Sequence, residues 1–193
     1  LHNKSKEIRI DIIKMLYVAG SGHSAGSLSI ADVFTALYFG DQLNLDPENS
    51  WREDRDRIIL SAGHICPAWY AALAEAGYFS TDELSTYAQL DSRLQAHPHF
   101  RSAPGIENTS GSLGQGMSFA VGIALAVRLK YLSSNNLTMK QFNNSCIPRV
   151  ICITSDAELQ EGQAWEAAMA ASKYQLDNLT FITDYNRIQI DGF

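Results

Sequence analysis

The chain has few cysteines, no long apolar run and no excess of positive charge, and each shortage removes a class of function. Its three cysteines, Cys66, Cys146 and Cys152, lack metal-ligand spacing, and Cys152 falls inside an apolar run. Reduced thiols are therefore expected, rather than a disulfide framework or a zinc site. No apolar stretch approaches the roughly 20 residues of a membrane-spanning helix, and the first residues carry no signal-peptide pattern. A cytoplasmic protein without a membrane partner is the expectation. The net charge of −6 argues against a general nucleic-acid surface, so an anionic ligand has to be held by a local cluster of His, Arg, backbone amides or metal. Internal repeats and low-complexity tracts are absent as well.

What is present is 193 residues, 46% hydrophobic, enough for one domain with a substantial core. The chain starts at Leu1 rather than Met and stops at Phe193, just after an expected strand, where another helix and strand would continue the sheet. A longer parent chain is expected from both features.

The organising stretch runs from Ile151 to Gly192. Val150 to Thr154 and Leu179 to Thr183 are short apolar runs of strand character, and Gln160 to Tyr174 between them reads as a helix. A strand, a crossover helix and a second strand bring two parallel strand ends side by side. Asp156 and Asn186, just beyond those ends, would share one crevice, and two hard oxygen ligands there suit magnesium or calcium. The fold class that follows is α/β, a doubly wound and mainly parallel sheet flanked by helices.

Lys4 to Val18 carries an amphipathic stripe at Ile8, Ile12, Met15 and Leu16, stopped by Gly20. Gly20 to Ser27 then reads as a loop of small residues around His23. A lone loop histidine is more often incidental than catalytic, so His23 needs support from elsewhere. Ser29 is a plausible N-cap for a second helical stripe through Tyr38, and Asp46 to Ser50 is a break rich in turn residues. Arg57 to Leu60 is a core strand, and His64 lies between its carboxyl end and a helix start at Pro67. That position suits a phosphate ligand, with a capping or packing histidine as the alternative. Ser80 and Glu83 fit a capping box for a short helix to Leu90. Asp91 to Leu113 is a long loop carrying Arg93, His97, His99 and Arg101 and little that could form a core; it reads as anion-binding or simply solvated. Gly111 to Gly116 leads into a helix from Met117 to Leu132. This glycine spacing is not the dinucleotide fingerprint, though it can expose peptide groups to a flat heteroaromatic ring. Ser133 to Asn144 reads as a surface connection.

Gly22-His23-Ser24-Ala25-Gly26-Ser27-Leu28, Leu60 to His64, Arg93 with His97-Pro98, Gly111-Ser112-Leu113-Gly114-Gln115-Gly116, Leu159 to Gly162 and Asp184 to Gly192 occur in one order. Taken together they resemble the N-terminal, diphosphate-binding half of transketolase over nearly the whole chain. The Gly111 to Gly116 segment differs from that of the related deoxyxylulose-phosphate synthases. The resemblance implies thiamine diphosphate with a bridging divalent cation, and ketol transfer between sugar phosphates with the cofactor as nucleophile and electron sink. It matches Asp156, Asn186 and the backbone carbonyl of Ile188 to metal ligands, and His64 to a contact with diphosphate and substrate. Gly111, Ser112 and Leu113 match the segment against the aminopyrimidine. His23 and His97 match histidines that contact donor oxygens and move protons, Arg93 a position near the substrate phosphate, and Glu161 a carboxylate at the subunit interface.

The family's Gly-Asp-Gly reads Ser155-Asp156-Ala157 here, with Asn186 at the family spacing. If residue 157 needs a positive φ, alanine costs about 1 kcal/mol. The family's activating glutamate belongs to a pyrimidine-binding domain that has no counterpart in this chain. A self-associating N-terminal subunit, working as a heterotetramer with a C-terminal partner, is therefore implied, or else a fragment of a longer enzyme. A non-catalytic cofactor-binding module and a transketolase for sulfo-sugars or branched sugar phosphates are the other readings.

Overall fold

The computed structural model describes residues 1–134, 147–189 and 192. In chain order the elements are α1 (His2–Ala19), α2 (Ser24–Phe39), β1 (Arg57–Leu60), α3 (Cys66–Glu75), α4 (Gln115–Ser134), β2 (Val150–Ser155), α5 (Gly162–Lys173) and β3 (Leu179–Asp184). The strands pair in the order β1-β2-β3, both pairings parallel, with Arg57 opposite Val150 and Val150 opposite Leu179.

The period of two along each strand sends side chains to two separate cores. Ile58, Leu60, Ile151, Ile153 and Ile182 join α1, α2 and α3 on one face. Ile59, Val150, Cys152, Leu179 and Phe181 join α4 and α5 on the other. A parallel sheet covered on both faces is the expected α/β architecture, and it explains why these strands read as continuous apolar runs. The stripe foreseen on α1 is the one buried, at Ile8, Ile12 and Met15, and Gly20 ends the helix in the left-handed region at φ 65°. Two polar ties close the amino-terminal edge of the sheet: Asp56 accepts from the Arg149 backbone and guanidinium, and Arg55 is paired with Glu107 in a buried contact at 2.8 Å.

Several local expectations change. α2 begins at Ser24, with His23 as its N-cap residue, and Ser29 lies inside the helix. The helix forms despite Gly26, whose position against Ile65 leaves no room for a Cβ, and Ser27 Oγ donates back to the His23 carbonyl at 2.7 Å. The capping box is half formed. Ser80 Oγ accepts from the Asp82 amide, but Glu83 turns to Arg93, and only a 3-10 turn, Thr81–Thr86, results. The loop after Asp91 is anchored by Leu94, Ala103 and Ile106, all buried, so it holds more core than its composition indicates. The crossover helix expected over Gln160 to Tyr174 is α5, Gly162–Lys173, preceded by a 3-10 turn, Ala157–Gln160.

Helix α4, at 20 residues, is long and apolar enough to meet a length-and-composition test for a membrane span, against the reading of the sequence. It packs on the sheet through Met117, Ala120, Val121 and Ala124 as a core helix. Most of the expected surface connection, 135–144, lies outside the described residues, as do Cys146, Ile190, Asp191 and Phe193.

Candidate functional site

The carboxyl ends of the three strands deliver most of the residues singled out above to one edge of the sheet. Beyond β1, the Ser61 amide continues the ladder to the Ile153 carbonyl at 2.8 Å, and a 3-10 turn, Gly63–Ile65, presents His64. The free side of β1 is occupied by a side chain. Asn108 accepts from the Leu60 amide at 3.0 Å and donates to the Leu60 carbonyl at 2.9 Å, as a neighbouring strand would. This tie carries the long loop, and with it Gly111 to Leu113, to the exit of β1. Gly63 and Gly111 then lie so close that a Cβ on Gly63 would meet the Gly111 nitrogen at 2.8 Å.

Three histidines gather at this edge. The rings of His23 and His64 meet edge to face with centroids 5.3 Å apart. His97 lies beside Gly111, its Cδ2 3.5 Å from where a Cβ on that glycine would stand. Burial, followed by the charges of His23 and His97, lowers the His64 pKa below the usual value, with Asp184 opposing. His97 is lowered in the same direction, by burial first and then by His23.

Beyond β2 and β3, Asp156 and Asn186 stand on neighbouring chain segments and line adjoining cavities. Asp156 lines a cavity of about 370 Å³ with Ala157, Gln160 and Arg187; Asn186 lines one of about 380 Å³ with His23, Gly26 and His64. Ile188 borders both. Asp156 accepts from the Ala157 amide at 3.0 Å and the Arg187 amide at 2.7 Å, and Asn186 Oδ1 accepts from the Ile188 amide at 2.9 Å. Each of these oxygens retains a lone pair. A carboxylate, an amide oxygen and a backbone carbonyl form an oxygen-only set that fits a hard divalent cation. The buried hydroxyls of Ser110 and Ser155 have no partner among the described residues, which leaves polar capacity unspent at the same edge.

Two expected contacts are engaged differently. Arg93 is held by Glu83 through two nitrogens, each at 2.6 Å, in the bidentate geometry that guanidinium and carboxylate favour. Glu161 is the exposed N-cap residue of α5, and its Cβ lies 2.9 Å from where Gly114 would carry one. Ala157 opens the 3-10 turn and is not among the residues with positive φ, so the condition for strain at that position is absent.

The sequence reading assigned no role to two carboxylates that shape this edge. Asp184 accepts from Ser29 Oγ at 2.9 Å and from Asn186 Nδ2 at 3.1 Å, joining α2 to the Asn186 turn. Glu158, fully buried, accepts from Ser61 Oγ at 2.6 Å, the Gly114 amide at 2.8 Å and the Ser155 amide at 3.0 Å. Burial raises its pKa, opposed by those three donors. The available signal was positional: Asp184 is the last residue of β3, and Glu158 stands three residues past the end of β2.

Comparison with known proteins shows the family. The family profile described as "Transketolase, thiamine diphosphate binding domain" matches residues 2–193. The 6-deoxy-6-sulfo-D-fructose transketolase subunit of Clostridium sp. (strain MSTE9) is 43% identical over all of this chain, and an apulose-4-phosphate transketolase subunit from Actinobacillus succinogenes is 38% identical. The chain spans 65% of the length of each. The crystal structure of transketolase from Campylobacter jejuni superimposes with a TM-score of 0.85 at 33% identity, covering 98% of this chain and 28% of that one. The chain therefore belongs to the transketolase N-terminal family of thiamine diphosphate-binding domains.

Proposed function

We propose that this chain is the diphosphate-binding component of a two-chain transketolase that moves a two-carbon ketol unit from a ketose phosphate to an aldose phosphate. A partner chain supplies the pyrimidine-binding domain. The observation that carries this reading is the convergence of His23, His64 and His97 on the strand edge that also bears Asp156 and Asn186. A two-chain arrangement is supported by the relatives at 43% and 38% identity, both of which are named as transketolase subunits. The same names favour an anionic sugar of a less common kind, sulfonated or branched, as substrate.

The chain's own residues divide the work. Asp156, Asn186 and the Ile188 carbonyl would hold a magnesium or calcium ion, and His64 with that ion would anchor the diphosphate. Gly111 to Leu113 would lie against the aminopyrimidine with backbone groups alone, since a side chain at Gly111 would advance towards His97. When bound, thiamine diphosphate supplies a nucleophilic carbon and an electron sink. His64 and His97, both with lowered pKa, are neutral imidazoles near pH 7 and suited to accepting a proton from a sugar hydroxyl and returning it. His23 is placed to share that task. Arg93 would receive the substrate's anionic end by exchanging Glu83 for it.

The test is titration of the chain with thiamine diphosphate and Mg2+, alone and with a chain bearing a pyrimidine-binding domain, followed by a ketose-phosphate assay. Binding by the chain together with turnover only in the mixture is the expected result. Binding without turnover, for several such partners and for phosphorylated and sulfonated donors, would favour a non-catalytic module instead.

A further inference from the structure

Glu158 has no place in the ligand sets above, yet it is fully buried and no cationic side chain pairs with it among the described residues. Withdrawing a carboxylate from water is costly unless its oxygens are satisfied. Here three donors meet it: Ser61 Oγ–H and the Gly114 amide at Oε1, and the Ser155 amide at Oε2. A glutamine of the same shape could not replace all three contacts, because its NH2 group would face one of these N–H or O–H donors. The three donors belong to separate segments. Ser61 starts the turn that presents His64, Gly114 directly follows Gly111 to Leu113, and Ser155 directly precedes Asp156.

The surrounding glycines make this meeting possible. Gly114 sits at φ 80°, where a side chain is disfavoured and would also strike Glu161. Gly116 lets the start of α4 approach Ser61 so closely that a Cβ would stand 2.4 Å from the Ser61 Cα.

We propose that Glu158 is a positioning residue: by accepting from Ser61, Gly114 and Ser155 together it holds the Gly111–Leu113 segment and the Asp156 turn in register with His64. The cradle for the cofactor is then assembled before the cofactor arrives. This inference rests on the thiamine diphosphate reading for its ligand, though not for its geometry.

The experiment compares Glu158→Gln and Ser61→Ala with the parent chain, and with Ile12→Val, a truncation in the α1 core remote from the edge. Hydrogen exchange is followed in the peptide spanning 111–117, and thiamine diphosphate affinity is measured by calorimetry with Mg2+. In Glu158→Gln, exchange in that peptide should rise about tenfold and the dissociation constant should rise about tenfold, the size expected for one buried hydrogen bond. Exchange at the centre of β2 should stay at the parent's rate, and turnover at saturating cofactor with the partner should return to within about twofold of the parent. Ser61→Ala, which loses a single donor, should shift both readouts the same way by less, and decides the matter if the glutamine variant does not fold. Ile12→Val should lower the melting temperature without either local effect. Variants at Glu158 and Ser61 that behave like Ile12→Val at matched stability would overturn the proposal. A parent chain that fails to bind the cofactor would instead overturn the functional reading, with exchange alone then deciding the positioning role.

Discussion

Two glycines on α4, six positions apart, should respond to the same substitution with opposite signs. At Gly122 an added Cβ meets nothing within 4 Å among the described residues, and the position is exposed. Alanine there reduces the freedom of the unfolded chain and suits a helix better, so Gly122→Ala should stabilise by about 0.5 to 1 kcal/mol. At Gly116 the added carbon would stand 2.4 Å from the Ser61 Cα and 2.6 Å from its Oγ. Backbone cannot rotate away as a flexible side chain can, so the start of α4 has to retreat from the exit of β1. Overpacking of this kind costs about 1 to 3 kcal/mol. The retreat also stretches the Glu158 bonds to Ser61 and Gly114, 2.6 and 2.8 Å long, and losing one adds about 1 kcal/mol. The two variants should therefore differ by about 2 to 5 kcal/mol in unfolding free energy. Urea denaturation at a single low protein concentration reads this directly as separated midpoints of equal slope. If Gly116→Ala fell within about 0.5 kcal/mol of Gly122→Ala, the close approach of α4 to Ser61 would be refuted.

At position 157, where the backbone is an ordinary 3-10 turn, Ala157→Gly should leave cofactor affinity within about threefold while lowering stability by up to about 1 kcal/mol. A tenfold tighter complex on calorimetry would mean that the methyl obstructs the diphosphate after all. The lowered pKa of His64 carries a pH dependence whose sign is fixed. Well above about pH 6.5 both folded and unfolded histidine are neutral and nothing changes. Below it the unfolded chain takes up the proton first, so stability falls with pH until folded His64 is protonated too. The slope from this one group cannot exceed about 1.4 kcal/mol per pH unit. Replacing His64 with Asn should flatten the stability profile between pH 7.5 and 5.5, and an unchanged slope in urea midpoints would refute the assignment.

Much of this architecture was legible because β1 and β2 are buried on both faces, and β3, though only half-buried, keeps a β-branched run. Arg57–Leu60 matches the expected strand, and β2 and β3 extend theirs by one residue, since β-branched runs bounded by polar residues have few other uses. The carboxyl-edge location of His64, Asp156 and Asn186 followed from those strand ends. What could not be read was the choice of partner for each polar group. Glu83 satisfies an ideal capping pattern, yet a guanidinium ten residues away offers two charged bonds and wins. Asn108 looks like an ordinary loop residue until its amide is seen completing the edge of β1, a role set by long-range geometry. Ser24 to Ser27 carry little local preference, so tertiary packing decided where α2 begins.

The two strand pairings also differ in the length of chain that each must close. Thr154 and Thr183, bonded across β2 and β3, are 29 residues apart, whereas Asp56 and Arg149, which clamp β1 to β2, are 93 apart. Closing the longer loop costs about 1 kcal/mol more by chain statistics alone. The β2–α5–β3 unit can therefore form early, bringing Asp156 and the Asn186 turn together as a local nucleus. The histidine-bearing segments reach that nucleus only once β1 docks. Replacing Asp56 should accordingly slow the late step of folding while leaving the first untouched, so that a kinetic intermediate would already possess one half of the cofactor cradle.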